Sequence, residues 1–362
     1  MDLSVVVWLA IILISSIIGT GIAHLFRLPR ALVLLGLGIG AQLLQFQTRL
    51  NITPYDSFIQ VLVIGAFVFS VLDHAVQLNF HEWSSFMHGF AKFTVARVIL
   101  TISVLVLLAY FTNSLLIPAV LLGLLVCAGA PELLRRKHSS ETMLFNTDAI
   151  VSSSLSIVGV FLLLAAANSI SAWTGVQQTV IGFFVNIATG LFLGLFCYRA
   201  IRATKEPWTR LIVFAIGILG FVLGEKFASG LGILVALGFG LFLANSKLPH
   251  EFLHGKWISG IAEGIVFILL GMFIPVSQTA WIAGIIIFVA VLVARYIALL
   301  LFQRQMHKAV VCLNNPIGMS VASTVVYLLI MMPHLQQFFI VIPVVVLLSL
   351  TLHTVINYPV KQ

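Results

Sequence analysis

The 362 residues are 61% hydrophobic and 8% charged, with a mean hydropathy of +1.15. Soluble domains carry about 25% charged residues, so the composition excludes a soluble protein and indicates a helical chain that crosses a membrane many times. The formal charge of +8 does not point to nucleic acid, because the basic residues are scattered over short loops rather than gathered on one face.

Thirteen apolar spans follow in order, at residues 3–23, 31–46, 57–78, 89–111, 115–131, 142–168, 176–200, 209–225, 230–245, 257–274, 279–303, 310–331 and 336–357. The first reads as a helix rather than a cleaved leader: Asp2 precedes it, and neither a positive n-region nor a small-x-small site accompanies it. Spans 2 and 9 are short, and their glycines (Gly36, Gly38, Gly40; Gly238, Gly240) suit close helix packing. No soluble domain is expected. Cys127, Cys197 and Cys312 lie in or at the ends of spans without zinc-site spacing, and read as small packing residues.

The loops after odd-numbered spans, with the C-terminus, hold fifteen of the nineteen basic residues. The positive-inside rule then places the N-terminus outside and the C-terminus in the cytoplasm, for a multi-pass protein of the cell (inner) membrane. Val95-Ala96-Arg97 in span 4 recurs as Val293-Ala294-Arg295 in span 11, and Phe69 and Phe267 repeat at the same offset. A shift of seven spans maps spans 1–6 onto 8–13 and reverses their direction. The expected layout is a first repeat at 1–168, a connecting helix 7 at 169–206 and an inverted second repeat at 207–362.

Two spans related by that shift look interrupted. Span 5 ends in Gly129-Ala130-Pro131, and span 12 contains Asn314-Asn315-Pro316. Gly and Pro inside a span free backbone groups, which is tolerated where protein or a water cavity lines the break. Paired breaks in corresponding halves point to a transport site. For span 5, the simpler reading is that Pro131 only ends a helix.

Asp148 is the leading candidate for chemistry. It lies about 10 Å along span 6 at 1.5 Å per residue, where a lone carboxylate costs about 2.5–3.5 kcal/mol to insert. Ser152 is one turn on, and Asn146 and Thr147 flank it. A carboxylate among such oxygens suits a hard monovalent cation and can take a proton in its place; Asp148 is the expected cation ligand. The alternative is a structural aspartate near a helix start.

Arg295 lies at similar depth and reads as support for the core, paired with Asp148, Glu141 or a helix C-terminus; snorkelling is its alternative. Arg97 sits nearer its membrane edge, where snorkelling is the expected behaviour. Glu263 and Asp73 would pair with a base or line an approach to the core, with a structural role favoured. Seven of the ten histidines fall in cytoplasmic-side loops and read as interfacial residues. No nucleophile–base or metal-ligand spacing suggests an enzyme, and no cofactor is expected.

These residues resemble the monovalent cation:proton antiporter superfamily, in particular the sodium/proton exchangers, over essentially the whole chain. Glu263-Gly264-Ile265-Val266-Phe267-Ile268-Leu269-Leu270-Gly271 is similar to the family's helix 10 pattern and is the most specific match. Thr147-Asp148-Ala149 aligns to Asn-Asp-Ala of helix 6. Ala294-Arg295 matches helix 11, and Phe26-Arg27-Leu28-Pro29 resembles the Gly-Leu-Pro turn after helix 1. The resemblance implies thirteen helices, an inverted repeat with crossed broken helices 5 and 12, alternating-access exchange of protons for sodium or another monovalent cation, and a homodimer. The chain departs from the pattern at the helix 5 break, where Ala130 replaces the usual carboxylate, and at Thr147, Met143 and Leu144 around the helix 6 aspartate. Those losses motivate a second reading: a non-transporting or regulatory protein, or a carrier of a different solute, on the same scaffold.

Overall fold

The computed structural model describes residues 3–48, 57–77, 87–112, 115–129, 140–167, 172–203, 206–227, 230–246, 256–302 and 317–357. Every predicted span carries a helix. They are α1 (Leu3–Phe26), α2 (Arg30–Thr48), α3 (Ser57–Val76), α4 (Met87–Phe111), α5 (Leu116–Cys127), α6 (Ser140–Ala167) and α7 (Ala172–Ala203). After these come α8 (Glu206–Phe227), α9 (Gly232–Ala244), α10 (Lys256–Met272), α11 (Gln278–Phe302), α12 (Met319–Met331) and α13 (Ile342–Asn357). Six helical stretches among the described residues are long and apolar enough to cross a membrane, and shorter apolar helices lie among them. The chain is an all-α, multi-pass membrane protein.

Two of the short helices, α5 and α12, lie in the spans expected to be interrupted. α5 has 12 residues and α12 has 13, about 18–20 Å of helix against a hydrocarbon core of about 30 Å. α5 stops at Ala128, whose backbone is extended (φ −70°, ψ 146°). α12 starts after Gly318, also extended (φ −97°, ψ −172°). The residues beyond these ends, including Ala130, Pro131, Asn314, Asn315 and Pro316, lie outside the described residues, as does any crossing of the two helices. Span 13 is interrupted, which the sequence reading missed. A 3-10 turn (Pro333–Leu335) and a one-turn helix (Gln336–Phe339) precede α13. Pro343 has no N–H to give Phe339, so the helical ladder cannot run through and restarts at Ile342.

α4, α5, α6, α11 and α13 pack on one another, while α1, α2 and α10 form a second group and α3, α7, α8 and α9 a third. α12 touches α3, α6 and α10 and joins the groups. Where α3, α6, α8 and α12 meet, four rings gather: Phe67 stacks on Tyr327 with centroids 4.6 Å apart, and Phe161 and Phe221 lie within 6.5 Å of Phe67. Outward-facing side chains such as Ile17, Phe184, Phe192 and Phe196 are exposed apolar groups, as lipid contact requires.

Part of the glycine expectation holds. A Cβ at Gly38 would overlap the Ile268 carbonyl, and one at Gly271 would overlap the Leu35 carbonyl, so α2 and α10 touch backbone to backbone. Gly238 meets the Ile187 backbone of α7 and Gly240 meets Ala75 Cβ of α3, but Gly36 and Gly40 face open space. At the end of α1, Arg27 adopts the left-handed conformation (φ 54°), and the Leu28 N–H donates to the Ala23 carbonyl at 3.0 Å. This is the helix-ending turn that usually takes glycine.

The α2–α10 contact sets a paired test. Gly38→Val should cost about 1–3 kcal/mol, as overpacking of a close contact does, and lower the unfolding temperature in detergent. Gly36→Ala should leave stability within about 0.5 kcal/mol or raise it. Equal effects at the two positions would contradict the packing described.

Candidate functional site

Asp148 lies on α6 and is buried, and its partner is Arg97 of α4. Arg97 Nη2 is 3.0 Å from Asp148 Oδ2, with both side chains 2% exposed. Thr94, one turn before Arg97 on the same face of α4, donates its hydroxyl to Asp148 Oδ1 at 2.7 Å. Two α4 side chains therefore hold the two oxygens of one carboxylate. This corrects the expectation that Arg97 snorkels to the membrane edge. A guanidinium this deep in apolar surroundings is retained only with an opposite charge beside it. The signal was present in the sequence: spans 4 and 6 begin on the same predicted side of the membrane, at residues 89 and 142, so Arg97 and Asp148 stand within about a turn of the same depth.

Arg295 takes another of its expected partners, a helix C-terminus. Its Nη2 donates to the Val126 carbonyl in the last turn of α5 at 3.4 Å. A second carbonyl of that turn, Leu124, accepts from Cys127 Sγ at 3.0 Å and from the Ser156 hydroxyl of α6. These contacts satisfy two of the four carbonyls that a helix end leaves open. Arg97, Arg295 and Asp148 all lie close enough to Cys127 to act on it electrostatically. Arg295 thus brings a buried positive charge to the end of α5. At the start of α12, the Ile317 N–H donates to Ser349 Oγ of α13 at 3.0 Å.

The remaining expected residues are placed as follows. Ser152 is buried and bonds back to the Ala149 carbonyl of its own helix at 3.3 Å; the hydroxyl that meets Asp148 belongs to Thr94. The side chains of Asn146, Thr147 and Glu141 lie outside the described residues. Glu263 pairs with Arg30 of α2 at 3.6 Å, and Arg30 also donates to Ser16 Oγ and to the Gly260 carbonyl. That cluster ties α1, α2 and α10 together. Asp73 accepts from Gln77 at 3.3 Å, one turn along its own helix end.

His74 on α3 escaped the sequence reading. Its Nε2 lies 2.8 Å from both the Ile150 carbonyl and the Ser153 hydroxyl. It pins α3 to α6 just past Asp148. A polar residue in a nearly continuous apolar run, buried at 2% exposure, was the signal that could have marked it.

The site is therefore a carboxylate–guanidinium pair sealed inside a bundle of membrane helices, beside the end of a helix too short to cross. The class is a polytopic helical membrane protein with a charged interior. The sequence matches no protein-family model and no curated protein. The fold does match: the chain is similar to the sodium proton antiporter MjNhaP1 from Methanocaldococcus jannaschii, with a TM-score of 0.76 and 17% identity over 97% of this chain and 96% of that one. The shared fold covers nearly the whole length of both chains.

The pair makes a stability prediction. Asp148→Asn should cost about 3–5 kcal/mol by stranding the buried Arg97 charge. Adding Arg97→Gln should recover a large part of that loss. A double-mutant cycle from denaturant unfolding in detergent measures both, and simple additivity of the two substitutions would refute the pairing.

Proposed function

We propose that the chain is a membrane antiporter that exchanges protons for sodium or another monovalent cation by alternating access, with Asp148 as the exchange group. The observation that carries the reading is a carboxylate buried among membrane helices in a chain with an antiporter fold over its length. Proton and cation would compete for Asp148. Thr94 would supply a neutral ligand, with Asn146, Thr147 and Ser152 as further oxygens on α6. Arg295 would steady the end of α5, and the breaks at Gly129-Ala130-Pro131 and Asn314-Asn315-Pro316 would lend carbonyls to the ion path. Two inverted repeats, 1–168 and 207–362, joined by helix 7, would rock against each other in a homodimer in the cell membrane, with the N-terminus outside.

One observation favours the second reading, a non-transporting protein or a carrier of another solute. Asp148 is engaged by Arg97 and closed off from solvent, so the conformation described does not present it to either side. On the antiporter reading this is an occluded state that Arg97 must leave before a cation enters.

Everted membrane vesicles carrying an imposed pH gradient decide between the readings. Wild type should show proton flux on addition of sodium, lithium or potassium. Asp148→Asn should abolish it, and so should Asp148→Asn/Arg97→Gln, whose core carries no stranded charge. Wild-type flux in either variant, or none in wild type with any of the three cations, would reject the antiporter reading.

A further inference from the structure

We propose that Arg97 is a tethered occupant of the cation seat: a guanidinium that an incoming monovalent cation must displace from Asp148, and that thereby sets the cation affinity of the site, while Thr94 holds the other carboxylate oxygen. The inference rests on Asp148 being the group at which a cation binds.

Position is the first support. Arg97 Nη2 stands 3.0 Å from Oδ2, and Thr94 Oγ1 stands 2.7 Å from Oδ1. A positive charge and a neutral hydroxyl already fill the two places that a metal ion and its oxygen ligand would take. Both come from one face of α4, so a single helix brings competitor and ligand to the carboxylate.

The quality of the contact is the second. Arginine–carboxylate pairs are frequently bidentate, with two parallel N–H bonds. Here Nη2 stands 3.0 Å from Oδ2. None of Nε, Nη1 and Nη2 completes a well-aligned hydrogen bond among the described residues, although the side chain is 2% exposed. Buried donors left without acceptors are costly. The pair is charge-matched and poorly bonded, which suits an occupant that leaves better than a fixed strut.

The third support is a place to go. The carbonyl end of α5 carries the partial negative charge of a helix C-terminus. Arg295 uses Val126 there, and Arg97 lies within electrostatic reach of Cys127 at the same end. A guanidinium keeps its charge at any working pH, so deprotonation cannot remove this competitor. It yields only to displacement.

Cation binding, rather than transport, tests this. The unfolding temperature of purified protein is followed against lithium, sodium and potassium chloride, with choline chloride matching ionic strength. Mildly alkaline pH keeps proton competition low. Arg97→Gln should lower the half-saturating concentration of at least one cation by roughly tenfold or more, the low end for close charge pairs. Arg97→Lys, which keeps a competing charge, should gain less. Asp148→Asn/Arg97→Gln should lose the cation response, and it also reports whether the core folds without the pair.

An unchanged half-saturation in folded Arg97→Gln overturns the proposal, as does an equal gain in Arg97→Lys. If Arg97→Gln alone fails to fold, Arg97→Met and Arg97→Lys are compared in the same way, and no difference between them overturns it. Absence of exchange in wild-type vesicles combined with a cation response gained in Arg97→Gln would reject the antiporter reading while leaving Arg97 as the competitor.

Discussion

The contact between Arg97 and Asp148 is the constraint that shapes the interior. Each charge alone is an expensive guest among apolar helices; held together they present little net charge to their surroundings. The cost of separating them fixes the rotation of α4 against α6, since both side chains must point inward at one depth. Thr94, one turn away, falls into line with the second oxygen for the same geometrical reason. The placement of two helices thus follows from one pair of side chains.

α6 divides its labour along its length. Near one end it carries Asp148, then Ser152, Ser153 and Ser156, whose hydroxyls turn to carbonyls of α6 or of α5. About 20 Å further along, at 1.5 Å per residue, Phe161 joins the ring cluster with Phe67 and Tyr327. The polar end faces the terminus of α5, where unsatisfied backbone needs donors. The aromatic end packs against α3 and α12, where it needs only area. The polar end of a long helix, with Arg295, gives donors to two carbonyls of the last turn of the short one.

What could be read from the sequence divides along physical lines. Span positions were legible because twenty-odd apolar residues in a row have few alternatives to a membrane helix. The ends of α5 and α12 were legible from Gly and Pro within otherwise continuous spans. Pro343 carried the same kind of signal and was passed over because its span was long enough without a break. The partner of Asp148 was harder, since a one-dimensional reading gives depth but not which helix lies beside which. The sequence reading named Arg295 as a candidate and left Arg97 to snorkel; the packing of α4 on α6 assigns Arg97. His74 was hidden by the same limit: its bonds go to a carbonyl and a hydroxyl on another helix, and no spacing along its own helix marks them.

The loss of the second carboxylate gains a physical meaning beside the pair. The resemblance places an acid at position 130, where this chain has alanine. Among the described core residues one carboxylate therefore stands with two guanidiniums, on Arg97 and Arg295. On the proposed function, a proton or a monovalent cation on Asp148 would add the same single charge to that set, and exchange of one for the other would move no net charge. Either would have to part the carboxylate from Arg97, so their common cost would be set by how well that guanidinium is received elsewhere. Selectivity would then rest on the oxygens around Asp148, and turnover on the arginine.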